Sequence, residues 1–365
     1  MTDSKQQLLA KIHDIASKCD RCGSCLLVCP VYAVNSKEAC GARGMVNAAR
    51  ALVKGDIAPA AAIRKSVDFC LLCGACIDVC ASKVNVPEVM LKTRQLLAGL
   101  SPQDVTLSEP ETAACEQAFT ALCRINAGLA AEEPASGRQA AYFFCHHSRL
   151  GPLDNAVNTL KLLHAVADIE LVNNEWAGLA ALASGHVEQF TDSLKQNILL
   201  YQEAETIVSD CACCSDTLKK AAAYLSDDPD WRELAADFSG KIVPLSDYLT
   251  QAGYMPRPHT GTVTYHDPCH LGRLQGLKAP PRDLLKAGGA YTEMAAADSC
   301  CGGPCMFPAD YPEASAALLE KKRQNIENSG ATTVATECYD CLTQLQKAAA
   351  KSGGKFRAVH ISEIL

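Results

Sequence analysis

The sequence predicts an α+β multidomain protein: an N-terminal α-helical domain, then a duplicated α/β domain rich in cysteine. Three observations carry that expectation. Two cysteine runs of identical spacing lie between helix-periodic segments before Ser101. From Ala140 onward, short β-like runs alternate with helical stretches. Cysteine landmarks in this second part then recur at a fixed offset.

In residues 1–100, Leu8, Leu9, Ile12, Ile15 and Ala16 fall on one face of a first helix. Met45 to Lys54 reads as a second, stopped by Gly55. Pro87, at a first-turn position, opens a third that runs to Leu97, with Gly99 as its stop. Residues 101–138 read as a connecting segment, with Pro102, Pro110, Pro134 and Gly137 around a helix near Cys115 to Leu129. Beyond it, β runs are expected at 142–144, 169–172, 206–208, 262–265, 332–334 and 356–359. Strands alternating with helices imply a parallel or mixed sheet covered by helices.

The chain has 21 cysteines in 365 residues. It shows no h-region or small-residue cleavage site near Met1 to Lys11, and it is long enough to build its own cores, so disulfide staples are not expected. Dense cysteines at short fixed spacings in a reducing compartment are metal ligands, and this number exceeds what structural zinc needs. The net charge of −7 argues against nucleic acid or an anionic membrane surface as the main partner. The only short basic run, Lys321-Lys322-Arg323, sits in a helical pattern and reads as a solvated face. No apolar run approaches the roughly 20 residues needed to span a bilayer. A cytoplasmic protein is expected, with attachment at the inner membrane left open through partners.

Cys19-x2-Cys22-x2-Cys25-x3-Cys29-Pro30 is the bacterial ferredoxin run, and Cys70-x2-Cys73-x2-Cys76-x3-Cys80 repeats it. The N-terminal domain is therefore expected to be ferredoxin-like, with two cubane [4Fe-4S] clusters. Thiolates at this spacing sit on a tight loop and converge on one cube, while Gly23 and Gly74 let backbone pass close to inorganic sulfur. In two-cluster ferredoxins the fourth cysteine of each run ligates the other cluster. That predicts Cys19, Cys22, Cys25 and Cys80 on one cube, and Cys70, Cys73, Cys76 and Cys29 on the other. Ala81 stands where the run usually has proline, which removes no ligand. Cys40 lies outside both runs and reads as a packed thiol. Zinc or free thiols are the competing reading of these runs.

The later half repeats itself. Cys145 and Cys269 lie 124 positions apart, each at or just after a β run. Thirty residues separate Cys145 from Trp176-Ala177-Gly178, and thirty separate Cys269 from Cys300-Cys301-Gly302. A Cys-x2-Cys pair follows each triplet, Cys211/Cys214 and Cys338/Cys341. Residues 139–255 are read as the first copy and 256–365 as the second.

Two ferredoxin loops followed by such duplicated units resemble the CCG-domain proteins. That group includes the iron–sulfur subunits of glycolate and lactate oxidases, an iron–sulfur subunit of anaerobic glycerol-3-phosphate dehydrogenase, and the cysteine-rich subunits of heterodisulfide reductase. The second unit carries the resemblance most clearly, in Tyr265-His266-Asp267-Pro268-Cys269-His270, Cys300-Cys301-Gly302-Gly303, Cys338-x2-Cys341 and the ending Val359 to Leu365. It implies a non-cubane [4Fe-4S] cluster held by Cys269, Cys300, Cys301, Cys338 and Cys341. Five soft thiolates suit iron and exceed a tetrahedral zinc site. His266 and His270 are open between donors behind the ligands and purely structural residues, and Cys305 has no assigned role. In the first unit Trp176-Ala177 replaces the cysteine pair, leaving Cys145, Cys211 and Cys214 with Cys213 alongside. An indole at a ligand position reads as a degenerate, structural copy, and whether those four cysteines bind a further cluster stays open.

There is no G-x-G-x-x-G fingerprint and no P-loop lysine, so the chain is equipped to carry electrons but not to take hydride. The resemblance implies an electron-transfer subunit of a flavin-dependent 2-hydroxyacid oxidoreductase of glycolate/lactate type. An FAD-containing partner subunit would oxidise the acid, and a flavoprotein, quinone or membrane complex would accept the electrons. The alternative is a heterodisulfide-reductase-like subunit whose non-cubane cluster cleaves a disulfide. A structural zinc scaffold fails on cysteine count and on ferredoxin spacing.

Overall fold

A computed structural model describes residues 5–100, 106, 108–132 and 137–365 of the chain. Pro102 and Pro134 lie outside them. The chain forms two compact units that do not follow its linear order. Unit 1 comprises Met1–Val105, Leu179–Phe190 and Ser299–Lys322; unit 2 comprises Thr106–Gly178, Thr191–Asp298 and Arg323–Leu365.

Unit 1 is helical. Helices Lys5–Ala16, Ala42–Lys54 and Val86–Leu96 pack against one another. Leu8, Ile12 and Ala16 recur at helical spacing and are buried, as are Met45, Val46, Ala49 and Leu52 of the second helix. The second helix ends at Gly55 with φ 75°, a left-handed conformation that glycine adopts without strain. The third begins where the Asn85 side chain accepts from the Glu88 amide at 3.2 Å, with Pro87 in the first turn. Between these helices, the short helices Ser24–Val28, Pro30–Asn35, Ala61–Asp68 and Ala75–Asp78 carry the cysteine loops.

Unit 2 opens with helix Glu109–Glu132, longer at both ends than the 115–129 pattern suggested. Two sheets follow. The first contains β1 (Gln139–Phe143), β2 (Asp168–Leu171), β3 (Ile207–Ser209) and β4 (Ile242–Pro244) in the order β2-β1-β3-β4. The second contains β5 (Val263–Tyr265), β6 (Thr333–Thr336) and β7 (Arg357–His360) in that order. Every pairing is parallel, with Ala141 opposite Ile207 and Val334 opposite both Thr264 and Ala358. Parallel strands need crossover connections, and these are the intervening helices. Sequence periodicity missed β4, a short edge strand ending in proline, which is tolerated only at such a position.

One apolar core joins both sheets of unit 2. Tyr142 and Val208 from the first sheet, Phe144 just past β1, and Val263, Tyr265, Ala335 and Val359 from the second sheet belong to it. Full burial of side chains of this size stabilises by about 1.5–3 kcal/mol each. The basic run behaves differently from expectation. Lys321 is exposed, but Lys322 is fully buried, because it shares the inward stripe of helix Pro312–Asn328 with Ser315, Leu319 and Ile326.

Candidate metal centres

Each N-terminal cysteine run is a tight loop closed by a short helix. Gly23 (φ 89°) precedes Ser24–Val28 and Gly74 (φ 73°) precedes Ala75–Asp78. Two residues earlier, Arg21 (φ 59°) and Leu72 (φ 55°) are left-handed as well. The two loops therefore trace the same path, with the handedness alternation that gathers backbone N–H groups around an anion. The Leu72 amide lies 3.5 Å from Cys70 Sγ, and the Val84 amide 3.4 Å from Cys80 Sγ. A Cβ on Gly23 would fall 2.7 Å from Arg43 Nη1, the tip of a side chain that donates to the Arg21 carbonyl at 3.3 Å.

Cys29, Cys70, Cys73 and Cys76 line one small cavity in this unit, floored by Val31 and Met45. Cys25 lies within electrostatic range of Cys19, Cys22 and Cys29. The loop bearing Cys80 is tied to the loop bearing Cys19 by the Ser82 hydroxyl, which donates to the Asp20 carboxylate. Arginines hold the loops from behind. Arg50 donates to the Cys19 carbonyl at 3.1 Å, and buried Arg94 donates to the carbonyls of Cys70 (2.6 Å), Val67 (2.8 Å) and Ala183 (2.9 Å).

Burial pushes the Cys70 thiol up, partly offset by the Arg94 charge. Burial, then the charges of Cys70, Cys73, Cys29 and Cys25, push Cys76 up much further. Cys22, at the surface, is instead drawn down by the Ser24 hydroxyl. Several thiols this close ionise together only if positive charge enters with them, which is what metal cations supply.

The Cys300-Cys301-Gly302 triplet belongs to the same unit. Gly302 has φ 77°, and a Cβ there would lie 3.0 Å from the Ser315 carbonyl oxygen and Leu318 Cβ. Glycine thus lets the loop lie directly on helix Pro312–Asn328, where Ser315 Oγ donates to the Gly302 carbonyl at 2.7 Å. Cys300 is near enough to Cys70 for its charge to raise that thiol.

In unit 2 four cysteines stand just past the carboxyl ends of parallel strands, the end at which open α/β sheets bind ligands. Cys145 follows β1, Cys211 follows β3, Cys269 follows β5 and Cys338 follows β6. Cys145, Cys211 and Cys214 converge, with all three Sγ atoms within 4.8 Å of one another. A ring contact accompanies the substituted triplet: Trp176 and His146 have centroids 4.2 Å apart. Cys213 Sγ lies 3.4 Å from Cys338 Sγ. The thiols of Cys145, Cys213, Cys214 and Cys338 all hydrogen-bond to Cys211 and hold it far below the usual thiol range. Cys269, Cys338 and Cys341 are buried in unit 2.

A polar frame fixes the strand ends. Asp210, just before Cys211, accepts from the hydroxyls of Tyr142 and Tyr339, both at 2.7 Å, and burial raises its pKa. His360 donates from Nε2 to the Asp210 carbonyl at 2.8 Å and accepts at Nδ1 from the Ser362 amide. Glu337, just before Cys338, is pushed up to about 8 by burial, and its carbonyl accepts from the Ala212 amide at 2.8 Å. His270 Nδ1 meets Asp216 at 2.7 Å, so this histidine braces the helix that begins at Ala212. His266 is buried, and its amide bonds the Ala335 carbonyl. Cys40 is half-buried and raised by burial, and Cys305 is half-buried with φ 49°. Sequence reasoning missed Asp210, Glu337 and the Cys213–Cys338 contact; the acidic residue preceding both Cys-x2-Cys pairs was the available signal.

Thiolates dominate the donor set at every centre, which suits iron–sulfur clusters. Residues 15–84 match the family model for a 4Fe-4S dicluster domain, and residues 263–346 that for a cysteine-rich domain. The probable glycolate oxidase iron–sulfur subunit of Bacillus subtilis is 26% identical over 95% of this chain and 92% of its own length. Lactate utilization protein A of Oceanobacillus iheyensis is 30% identical over 52% of this chain and 79% of its own. A subunit of the fumarate reductase (CoM/CoB) of Methanothermobacter marburgensis is 26% identical over 95% of this chain and 71% of its own. A crystal structure of a hypothetical Helicobacter pylori protein shares the fold, with TM-score 0.54 and 9% identity over 100% of this chain and 72% of that one. Thiol loops, strand-end cysteines and these similarities agree: the chain belongs to the cysteine-rich iron–sulfur protein family that contains lactate utilization protein A.

Proposed function

We propose that this chain is the electron-transfer subunit of a flavin-dependent 2-hydroxyacid oxidoreductase acting on lactate or glycolate. The observation that carries the reading is the cavity lined by Cys29, Cys70, Cys73 and Cys76, with Cys300 in electrostatic range of Cys70 in the same unit. Bound there, iron–sulfur clusters supply one-electron storage and transfer.

The chain's own residues hold and tune those centres. Cys19, Cys22, Cys25 and Cys80 hold one cubane; Cys70, Cys73, Cys76 and Cys29 hold the other. Cys269, Cys300, Cys301, Cys338 and Cys341 hold a third, non-cubane cluster. Arg94 fixes the Cys70 carbonyl and places a positive charge behind that loop, while Gly302 seats the Cys300 loop. The two sheets of unit 2 are two copies of one ancestral α/β unit. An FAD-containing partner oxidises the hydroxy acid, because this chain has no dinucleotide fingerprint of its own.

The test is a pair of variants, Cys300→Ser and Cys301→Ser, in the intact complex. Lactate or glycolate should still reduce the partner's flavin, both cubane signals should survive, and delivery to the acceptor should fall at least tenfold. If the complex instead reduces a disulfide substrate, and the variants abolish that reaction while no hydroxy acid reduces the flavin, the heterodisulfide-reductase-like reading replaces this one.

A further inference from the structure

Cys213 belongs to neither half of its Cys-x2-Cys pair and has no place in the ligand sets above. It is the third residue of Cys211-Ala212-Cys213-Cys214, on the first turn of helix Ala212–Lys219. Its thiol is buried, hydrogen-bonds to Cys211 of its own pair, and also lies 3.4 Å from Cys338 Sγ. Asp340 Oδ2 is also near, at 3.8 Å. At the same offset in the second pair stands Asp340 itself, whose carboxylate faces His147 Nε2 at 3.1 Å. The amide of Ala212 is bonded to the carbonyl of Glu337 at 2.8 Å, so the backbone segments bearing Cys213 and Cys338 are clamped together. The contact is therefore built in by main chain as well as by side-chain packing.

Two thiolates on one tetrahedral metal, each bonded at about 2.3 Å, stand about 3.8 Å apart. Cys213 and Cys338 are within a few tenths of an ångström of that separation. An ion bound by Cys338 thus lies within reach of Cys213 without rearrangement of the backbone. The structure assigns Cys213 as a sixth thiolate of the metal centre that contains Cys338: the first repeat has Trp176-Ala177 in place of a double cysteine and lends a thiol to the second. This inference rests on the proposed third cluster. An added thiolate brings negative charge to the iron, which stabilises the oxidised state and lowers the reduction potential.

The experiment compares the anaerobically purified full chain with Cys213→Ser, Cys213→Ala and the control Cys123→Ser. It reads iron content, electron paramagnetic resonance, the midpoint potential of each cluster and the rate of iron loss to a chelator. The wild type should hold about 12 irons. Both Cys213 variants should keep the two cubane signals, which also report folding of the ferredoxin loops. Their third cluster should show altered resonance, a more positive midpoint potential and several-fold faster chelation, with Ala more affected than Ser. A third cluster unchanged in signal, potential and chelation rate in both variants overturns the assignment of Cys213. A wild-type chain with about 8 irons overturns the third cluster itself, and the assignment with it.

Discussion

Cys29 and Cys70 line one cavity, although they belong to different cysteine runs. The helices Ser24–Val28 and Ala75–Asp78 pack together, bringing the end of the first loop to the start of the second. Under the proposed ligand sets each centre would draw on both loops, so loss of either loop would damage both.

The first consequence concerns Cys29→Ser. Iron should drop by up to about 4 atoms per chain, and the signal affected should be that of the cluster on Cys70, Cys73 and Cys76. Site-selective spectroscopy that finds the Cys19–Cys22–Cys25 cluster perturbed and its neighbour intact would refute the cross-ligated arrangement.

Arg94 gives a second. It is buried and donates to the carbonyls of Val67, Cys70 and Ala183 while pairing with Asp68 at 3.3 Å. Arg94→Met leaves those acceptors without their donor, at a cost of about 3–5 kcal/mol. Arg94→Lys should recover little, since a single ammonium cannot reproduce the planar fork. Thermal unfolding followed by circular dichroism checks both; a midpoint unchanged in Arg94→Met contradicts the bracing role.

Two glycines separate strain from contact. Gly55 has φ 75° with open space where a Cβ would go, whereas Gly302 has φ 77° with backbone and side chain 3.0 Å away. Gly55→Ala should cost only the left-handed conformation, about 1 kcal/mol. Gly302→Ala should cost visibly more and loosen the Cys300 loop. Denaturant midpoints of the two variants measure this, and equal losses would show that the Gly302 contact carries no weight.

Asp216 yields a prediction for acid. Its carboxyl is held below the usual range, despite burial, by His270 and then Lys220. The folded carboxyl releases its proton more readily than the unfolded one, so its stabilisation is present at neutral pH and drains as pH falls below about 4, through the lower folded value. His270→Leu removes the first partner and should cost about 2 kcal/mol at pH 7, with a much smaller difference near pH 3. Urea unfolding across that range checks it; a penalty independent of pH contradicts the pairing.

The two N-terminal cysteine loops were legible because their spacing repeats and matches a 4Fe-4S dicluster domain, and Gly23 and Gly74 mark the same turn in each. Six of the seven strands overlap β-branched or aromatic runs, four of them within a residue, while β1 begins three residues before 142 and β6 ends two after 334; β4 was too short and ended in Pro244. Lys322 was misplaced because charge suggests solvent, while its position on the helix puts it inward. Local pattern did not show that the Cys300 loop joins the N-terminal unit, or that Cys213 reaches Cys338, since both depend on segments far apart in the chain.

The most direct measurement is rapid mixing of the purified complex, partner subunit included, with D-lactate, L-lactate and glycolate under anaerobic conditions. Electron transfer through this chain predicts that flavin absorbance bleaches first and iron–sulfur absorbance follows within the turnover time, with the second phase lost when the cluster on Cys70, Cys73 and Cys76 is removed through Cys29→Ser. Flavin bleaching with no iron–sulfur phase, or turnover undiminished in Cys29→Ser, would contradict it.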